Sequence, residues 1–153
     1  LGMHVYSFDY KKRHRYCEKH GATALDDAQS LYDKVQYISL SIPSNANTRG
    51  SINYDLLSRL PDNGVVVNTT RKEVVNEEDL LKIFAEKTFF QYISDVAPEC
   101  KDELLENYPE RVFFTPKKMG AQTLEANVNA GVAAANQIVA YFEIGDTTFQ
   151  VNE

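Results

Sequence analysis

The stretch of sequence that decides the fold reads Gly64-Val65-Val66-Val67-Asn68-Thr69-Thr70-Arg71-Lys72-Glu73-Val74-Val75-Asn76-Glu77-Glu78-Asp79-Leu80. It begins with a short, β-branched apolar run, Gly64–Asn68, which is typical of a buried strand. Further along, Asn76 is a favoured residue at a helix N-terminus, and the three acidic residues after it interact well with the helix dipole. The stretch therefore predicts a strand, a polar loop and a helix in direct succession.

The same alternation continues on both sides of this stretch. The remaining predicted strands are Met3–Phe8, Val35–Ser41, Phe89–Ser94 and Val112–Thr115, and the predicted helices are Lys11–His20, Tyr54–Arg59, Glu77–Glu86 and Lys101–Asn107. Because the strands are almost continuously apolar, we expect them to be buried on both faces. The alternation predicts an α/β fold with a parallel sheet and right-handed crossovers. A last helix, roughly Thr123–Phe142, is rich in alanine and can pack closely against another element.

The composition of the 153 residues, with 43% apolar and 25% charged residues, is that of an ordinary globular domain. A net charge of -6 argues against nucleic acid as the main partner. No apolar run approaches the roughly 20 residues of a membrane span, and no secretory signal is visible, so we expect a cytoplasmic protein without a membrane partner. Cys17 and Cys100 are predicted to be reduced thiols. The three histidines match no metal-binding spacing, and no metal site is predicted.

A second stretch reads Phe113-Phe114-Thr115-Pro116-Lys117-Lys118-Met119-Gly120-Ala121-Gln122-Thr123. Together with the first, it resembles the second half of the D-2-hydroxyacid dehydrogenases. In that family a histidine usually follows Thr-Pro and handles the proton, whereas this sequence has Lys117. One subgroup of short phosphoglycerate dehydrogenases has this lysine, and the resemblance covers nearly the whole chain.

The resemblance implies a fold, a cofactor and a division of the chain. The fold would be a parallel Rossmann-type NAD-binding sheet that lacks its first strand, glycine loop and helix. Residues 1–122 would form the NAD-binding domain, and residues 123–153 a helix and tail that return toward the substrate domain. No Gly-x-Gly-x-x-Gly occurs in the sequence, so we expect the chain to begin after that loop and to have little turnover alone.

The resemblance implies that three residues carry the chemistry. Arg71 follows a buried strand, where open α/β sheets bind ligands, and its guanidinium can hold a carboxylate with two parallel hydrogen bonds. Lys117 would move the hydroxyl proton; because a lysine pKa starts near 10.4, it must be lowered by desolvation or by neighbouring cations. Alternatively, Lys117 only holds an anionic group of the substrate. Glu99 is the candidate for the family's catalytic glutamate, with Asp102 and Glu103 as rivals; alternatively, the glutamate role is absent.

The remaining candidates would bind the cofactor. Asp9, after the first strand, would accept hydrogen bonds from the adenosine ribose, which favours NAD over NADP. The resemblance places Asp95 near the nicotinamide carboxamide. It also assigns cofactor contacts to Ser41, Pro43 and Thr48, and to the pair Thr69 and Thr70 next to Arg71.

The resemblance implies a function, which is NAD-dependent oxidation of D-3-phosphoglycerate to 3-phosphohydroxypyruvate, at the entry to serine synthesis, in a parent enzyme that is a homodimer. The alternatives are a dehydrogenase for another D-2-hydroxy acid, a non-catalytic NAD-binding module and an inert fragment. In each enzymatic alternative the partner is a small 2-hydroxy acid.

Overall fold

The computed structural model describes residues 2–10, 14–116 and 123–151 of the chain. In chain order, its elements are β1 (Val5–Ser7), α1 (His14–Lys19), β2 (Ala22–Ala24), α2 (Ala28–Lys34), β3 (Tyr37–Leu40), α3 (Tyr54–Arg59), β4 (Val65–Asn68), α4 (Glu77–Glu86), β5 (Gln91–Ser94), α5 (Lys101–Asn107), β6 (Val112–Phe114) and α6 (Leu124–Ile144). A short 3₁₀ helix, Lys72–Val74, lies between β4 and α4. The predicted α/β fold with parallel strands is confirmed.

The strands form two parallel sheets. β1 pairs with β2, and the second sheet has the order β3-β4-β5-β6. The sequence predicted β1 but missed both β2 and α2, because residues 21–34 carry no long apolar run. Three predicted helices, α3, α4 and α5, have the expected bounds. The start of the predicted helix Lys11–His20 lies outside the described residues.

Side chains at the N-terminal ends of several helices satisfy free backbone N–H groups. Asn76, the predicted N-cap of α4, accepts a hydrogen bond from Asp79 N at 3.2 Å. Asn53 does the same for α3 by accepting from Leu56 N at 3.2 Å. These caps explain why both helices begin where the sequence indicates.

The expectation that the strands are buried on both faces is wrong for most of them. Only β4 is buried along most of its length, whereas burial alternates along β3 and β5. The core contains Ile38, Val66 and Tyr92, which lie in one row across the sheet. Right-handed crossovers between strands in sequential order place their connecting helices on the same face. The other face of the sheet is therefore only partly covered, and Tyr37 is 58% exposed there.

Internal contacts divide the chain into two compact units, residues 1–117 and 118–153. The second unit contains α6, which is 21 residues long and is capped by Gly145, a residue in the left-handed conformation that glycine adopts without strain. Within the described part of the chain, no helix has the length and apolarity needed to cross a membrane. The assignment of the two parts to an NAD-binding domain and to a helix returning toward a substrate domain stays a prediction.

Candidate active site

The carboxyl ends of four parallel strands meet at one edge of the larger sheet. Their last residues, Leu40, Asn68, Ser94 and Phe114, are register partners across the sheet. We call this the carboxyl edge of the sheet. The residues that follow the strands are neighbours there: Ser41, Thr69, Asp95 and Thr115. Ligands of open α/β sheets bind outside this edge.

The loop after β4 carries Arg71 to the surface on a fixed backbone. Asn68 is fully buried, and its Oδ1 accepts hydrogen bonds from Thr70 N at 3.0 Å and Thr70 Oγ1 at 2.8 Å. Asn68 Nδ2 donates to Arg71 O at 3.1 Å. The Arg71 guanidinium donates to Thr70 O at 2.9 Å and is exposed. An exposed, permanently charged guanidinium group at this edge can bind a carboxylate through two hydrogen bonds.

The loop after β3 is tied to the segment that follows Arg71. Thr48 Oγ1 donates to Pro43 O at 2.5 Å and accepts from Asn45 N at 2.9 Å, so the Thr48 hydroxyl closes its own loop. Gly50, in the left-handed conformation, donates from its N to Glu73 O at 2.8 Å. We call residues 69–71 the arginine loop. The predicted residues Ser41, Pro43 and Thr48 therefore lie on a loop whose far end is hydrogen-bonded to the segment that follows the arginine loop.

Asp95 is held by its backbone while one carboxylate oxygen stays without a partner. Asp95 N donates to Asn68 O at 3.3 Å, and Thr115 Oγ1 donates to Asp95 O at 3.3 Å. Asp95 Oδ1 is buried and has no hydrogen-bond partner among the described residues. Buried acceptors normally find a donor, so this oxygen is available to a donor group of a ligand.

Glu99 makes an ion pair with Lys72, the residue directly after Arg71. The hydrogen bond from Lys72 lowers the pKa of Glu99, and the same contact raises the pKa of Lys72. Glu99 is consequently a carboxylate near neutral pH. The loop that carries it is fixed by Glu77, whose two carboxylate oxygens accept hydrogen bonds from Glu99 N at 3.0 Å and Cys100 N at 2.8 Å.

Two predicted residues are not among those that the strand register brings to the edge of the larger sheet. Asp9 comes two residues after β1, in the two-stranded sheet, and is half-buried. Lys117 follows β6 by three residues and lies outside the described residues. The described residues contain no cluster of three or more histidine, cysteine, aspartate or glutamate side chains that could hold a metal ion.

Sequence reasoning missed the polar residues behind the edge, Tyr92 and Ser94, and quoted Asn68 only as part of a motif. The sequence pattern does indicate two of these three residues, since Asn68 and Ser94 are polar residues that end apolar strands. A polar side chain in a buried strand requires hydrogen-bond partners, but the sequence does not say which ones.

Comparison with known proteins identifies the domain. The family model described as D-isomer specific 2-hydroxyacid dehydrogenase, NAD binding domain, matches residues 1–117. The D-3-phosphoglycerate dehydrogenase of Escherichia coli is 25% identical over 158 aligned residues, which cover 99% of this chain and 38% of the relative. The chain thus spans well under half the length of that curated relative.

Solved structures agree on the fold. The NAD+-bound 3-phosphoglycerate dehydrogenase of Entamoeba histolytica matches with a TM-score of 0.77 and 35% identity, over 97% of this chain and 54% of that one. The D-mandelate dehydrogenase of Rhodotorula graminis has a TM-score of 0.78 at 22% identity, over 92% of this chain and 41% of that one, and shares the fold alone.

Proposed function

The chain belongs to the D-isomer specific 2-hydroxyacid dehydrogenases, and we propose that it forms the NAD-binding part of an enzyme that oxidises D-3-phosphoglycerate to 3-phosphohydroxypyruvate. One observation carries the proposal: the exposed guanidinium of Arg71 stands on a loop anchored by the buried Asn68 at the carboxyl edge of the sheet. The similarity to phosphoglycerate dehydrogenases named above supports the choice of substrate.

The residues present fit NAD at this edge. The buried Asp95 Oδ1, which lacks a partner among the described residues, would accept a hydrogen bond from the nicotinamide carboxamide. Other predicted contacts lie on the loops after β3 and β4, at the same edge of the sheet, and would line the cofactor: Ser41, Pro43, Thr48, Thr69 and Thr70. Asp9 would accept hydrogen bonds from the adenosine ribose. When bound, NAD+ supplies the acceptor for the hydride that leaves C2 of the hydroxy acid.

Arg71 is proposed to bind the substrate carboxylate and to polarise the C2 oxygen. Two parallel N–H···O bonds orient the acid as well as hold it, which a lysine at this position would not do. The neutral amine of Lys117 would take the C2 hydroxyl proton as the alcohol becomes a ketone. Each unit by which the protein lowers the pKa of that lysine corresponds to about 1.4 kcal/mol.

Glu99 is proposed to act as a carboxylate whose charge is already offset. A free carboxylate beside the ammonium form of Lys117 would raise the pKa of that lysine and oppose its role as a base. Because Glu99 is paired with Lys72, it attracts a second ammonium group less strongly. The ion pair with Lys72 would therefore reduce the rise in the pKa of Lys117 that a nearby glutamate causes. We also propose that the full enzyme is a homodimer, as the resemblance implies.

The proposal is tested by NADH formation with the full-length protein. D-3-phosphoglycerate is compared with D-glycerate and D-lactate, and we expect the highest kcat/KM with D-3-phosphoglycerate. Arg71→Gln should lower kcat/KM by about 100-fold, because two charge-assisted hydrogen bonds to the carboxylate are lost. A higher kcat/KM with either other acid would overturn the substrate, and no NADH from any of the three would overturn the reaction.

Lys117→Ala separates the proton step from binding. Turnover should collapse while the Kd for NAD+ stays within twofold of that of the unaltered protein, and Lys117→His should shift the pH–rate profile. Unchanged turnover in Lys117→Ala would remove this residue from the mechanism.

A further inference from the structure

The side chain of Asn68 uses its full hydrogen-bonding capacity inside the protein. Its Nδ2 donates to Arg71 O at 3.1 Å and to Tyr92 Oη at 3.0 Å, while Oδ1 accepts from Thr70 N and Thr70 Oγ1. A primary amide has two donor hydrogens and two acceptor lone pairs, so no capacity remains. Because the amide is also fully buried, it can take only one orientation.

Three of these bonds end on the two residues that define the arginine loop. The N–H of Thr70 is held just before Arg71, and the carbonyl of Arg71 is held just after its Cα. Arg71 itself has an extended backbone, with φ -142° and ψ 142°, so the side chain leaves the loop in a direction set by these flanking bonds. The guanidinium is exposed, but its starting point is fixed from inside the core.

The remaining bond anchors the amide to the neighbouring strand. Tyr92, on β5, is fully buried, and its ring lies 6.2 Å from that of Phe114 on β6. Burial raises the pKa of Tyr92, so its hydroxyl stays protonated and accepts the Asn68 hydrogen bond as a neutral group. Phe114 ends β6 three residues before Lys117. These contacts therefore form a network that extends from the packed centre of the sheet to Arg71.

The other end of the same network reaches the Asp95 loop through the backbone of Asn68. Asn68 O accepts from Ser94 Oγ at 2.8 Å and from Asp95 N at 3.3 Å, and Ser94 Oγ also accepts from Val96 N at 3.1 Å. These bonds involve the main chain of Asn68 and not its amide. The Tyr92 hydroxyl also interacts with the Ser94 side chain. Because the backbone of Asn68 holds Asp95 N independently of that hydroxyl, removing it should disturb the arginine loop more than the Asp95 loop.

We propose that Asn68 and Tyr92 are positioning residues for substrate binding: the buried hydrogen bond from Asn68 Nδ2 to the Tyr92 hydroxyl fixes the amide that aims Arg71 at the carboxylate of the hydroxy acid. Neither residue touches the substrate. This inference rests on the proposed function, because it assigns a purpose to the geometry of Arg71. It predicts a larger loss of affinity for the acid than for NAD+, because Thr69 and Thr70, on the same loop as Arg71, are only two of the proposed cofactor contacts.

The test uses Tyr92→Phe in the full-length protein, with Tyr32→Phe as the matched control. Both tyrosines are buried, but the Tyr32 hydroxyl has no hydrogen-bond partner among the described residues. Phenylalanine keeps the ring in place, so both variants are expected to fold. We expect Tyr92→Phe to raise KM for D-3-phosphoglycerate about tenfold, which corresponds to one neutral hydrogen bond, with a smaller rise in KM for NAD+ and with kcat within twofold. Tyr32→Phe should leave all three constants unchanged.

A double substitution separates positioning from a merely structural role. In an Arg71→Gln background, Tyr92→Phe should cause no further rise in KM, because there is no guanidinium left to aim. Asn68→Asp gives a second reading: it keeps the acceptor for Thr70 but loses both donors, so KM for the acid should rise by at least as much as in Tyr92→Phe. Tenfold effects that persist without Arg71, or an unchanged KM in Tyr92→Phe, would overturn the inference.

The two proposals fail in different ways. If Arg71→Gln leaves KM and kcat/KM for D-3-phosphoglycerate unchanged, the proposed role of Arg71 is wrong, and the positioning role falls with it. If Arg71→Gln weakens the reaction and Tyr92→Phe does not, only the positioning role is wrong. Hydrogen exchange of the Thr70 amide provides a measurement that does not need turnover: exchange should accelerate about tenfold in Tyr92→Phe and remain unchanged in Tyr32→Phe.

Discussion

The segment before Ala28 and the segment from Ala28 to Pro116 use the same alternation of parallel strands and helices but differ in burial. In the first, β1, α1 and β2 contribute no residue to the core, and Val5 is 54% exposed. In the second, every buried core residue of the described chain lies between Tyr32 and Leu104. Both segments have parallel pairing, so strand pairing alone does not create a core. A core forms where several helices cover one sheet face together.

The largest expected effect comes from deleting an aromatic side chain in each segment. Phe90 is fully buried and meets Phe84 edge-on, with ring centroids 5.2 Å apart, whereas Tyr16 on α1 is 62% exposed. Phe90→Ala should lower the free energy of unfolding by about 3–5 kcal/mol, and Tyr16→Ala by less than about 0.5 kcal/mol. Urea denaturation followed by circular dichroism measures both. Equal losses would show that the first segment shares the core after all.

Arginine substitutions give a smaller contrast between the segments. The Arg111 guanidinium donates to Phe84 O, Lys87 O and Thr88 O, where α4 ends, while Arg15 on α1 is exposed. Arg111→Met should cost about 2–3 kcal/mol of unfolding free energy, because charge-assisted hydrogen bonds are lost and carbonyls stay unpaired. Arg15→Met should cost less than about 0.5 kcal/mol. Equal shifts of the urea midpoint in Arg111→Met and Arg15→Met would contradict this prediction.

The two cysteines test the same contrast chemically. Burial, followed by the charge of Glu77, raises the pKa of the Cys100 thiol to about 12, so almost none of it is thiolate at pH 8. We expect a thiol reagent to modify Cys100 at least about tenfold more slowly than Cys17 on α1. Mass spectrometry after timed alkylation measures both rates in one sample. Glu77→Gln should narrow the difference by lowering the pKa of Cys100. Similar rates at both sites in the unaltered protein would contradict the prediction.

The smallest effect concerns the ion pair at the surface of the larger segment. The pKa of Glu99 is lowered by Lys72, so its contribution to stability is present above its unfolded pKa and is lost as the pH falls through the folded one. The pKa of Lys72 is raised by Glu99, so its contribution is lost as the pH rises through its folded pKa. Lys72→Met should return the pKa of Glu99 toward its usual value of 4.5, as measured by NMR titration of the carboxyl carbon. An unchanged Glu99 titration would show that the two side chains do not pair in solution.

The parts of the fold that were predicted correctly are those with local causes. Asn76 and the acidic residues after it define the start of α4, and β-branched runs define β4. β2 was missed because Ala22–Ala24 is too short and too weakly apolar to be recognised as a strand. Its backbone pairing with β1 is what makes it one. For the candidate site, the sequence pointed to Arg71, Asp95 and Glu99, but not to the residues that hold them.

By itself, then, the amino-acid sequence determined the alternation of strands and helices, the polar residues at the strand ends and the family to which the chain belongs. These properties depend on neighbouring residues, whose side-chain pattern and backbone preferences act over a few positions. The tertiary structure alone decided that one face of the sheet is buried, that Asn68 pairs with Tyr92 across 24 positions, and that Glu99 meets Lys72 across 27. The physical reason is register: only when parallel strands align does a residue acquire the partners that satisfy its buried polar atoms.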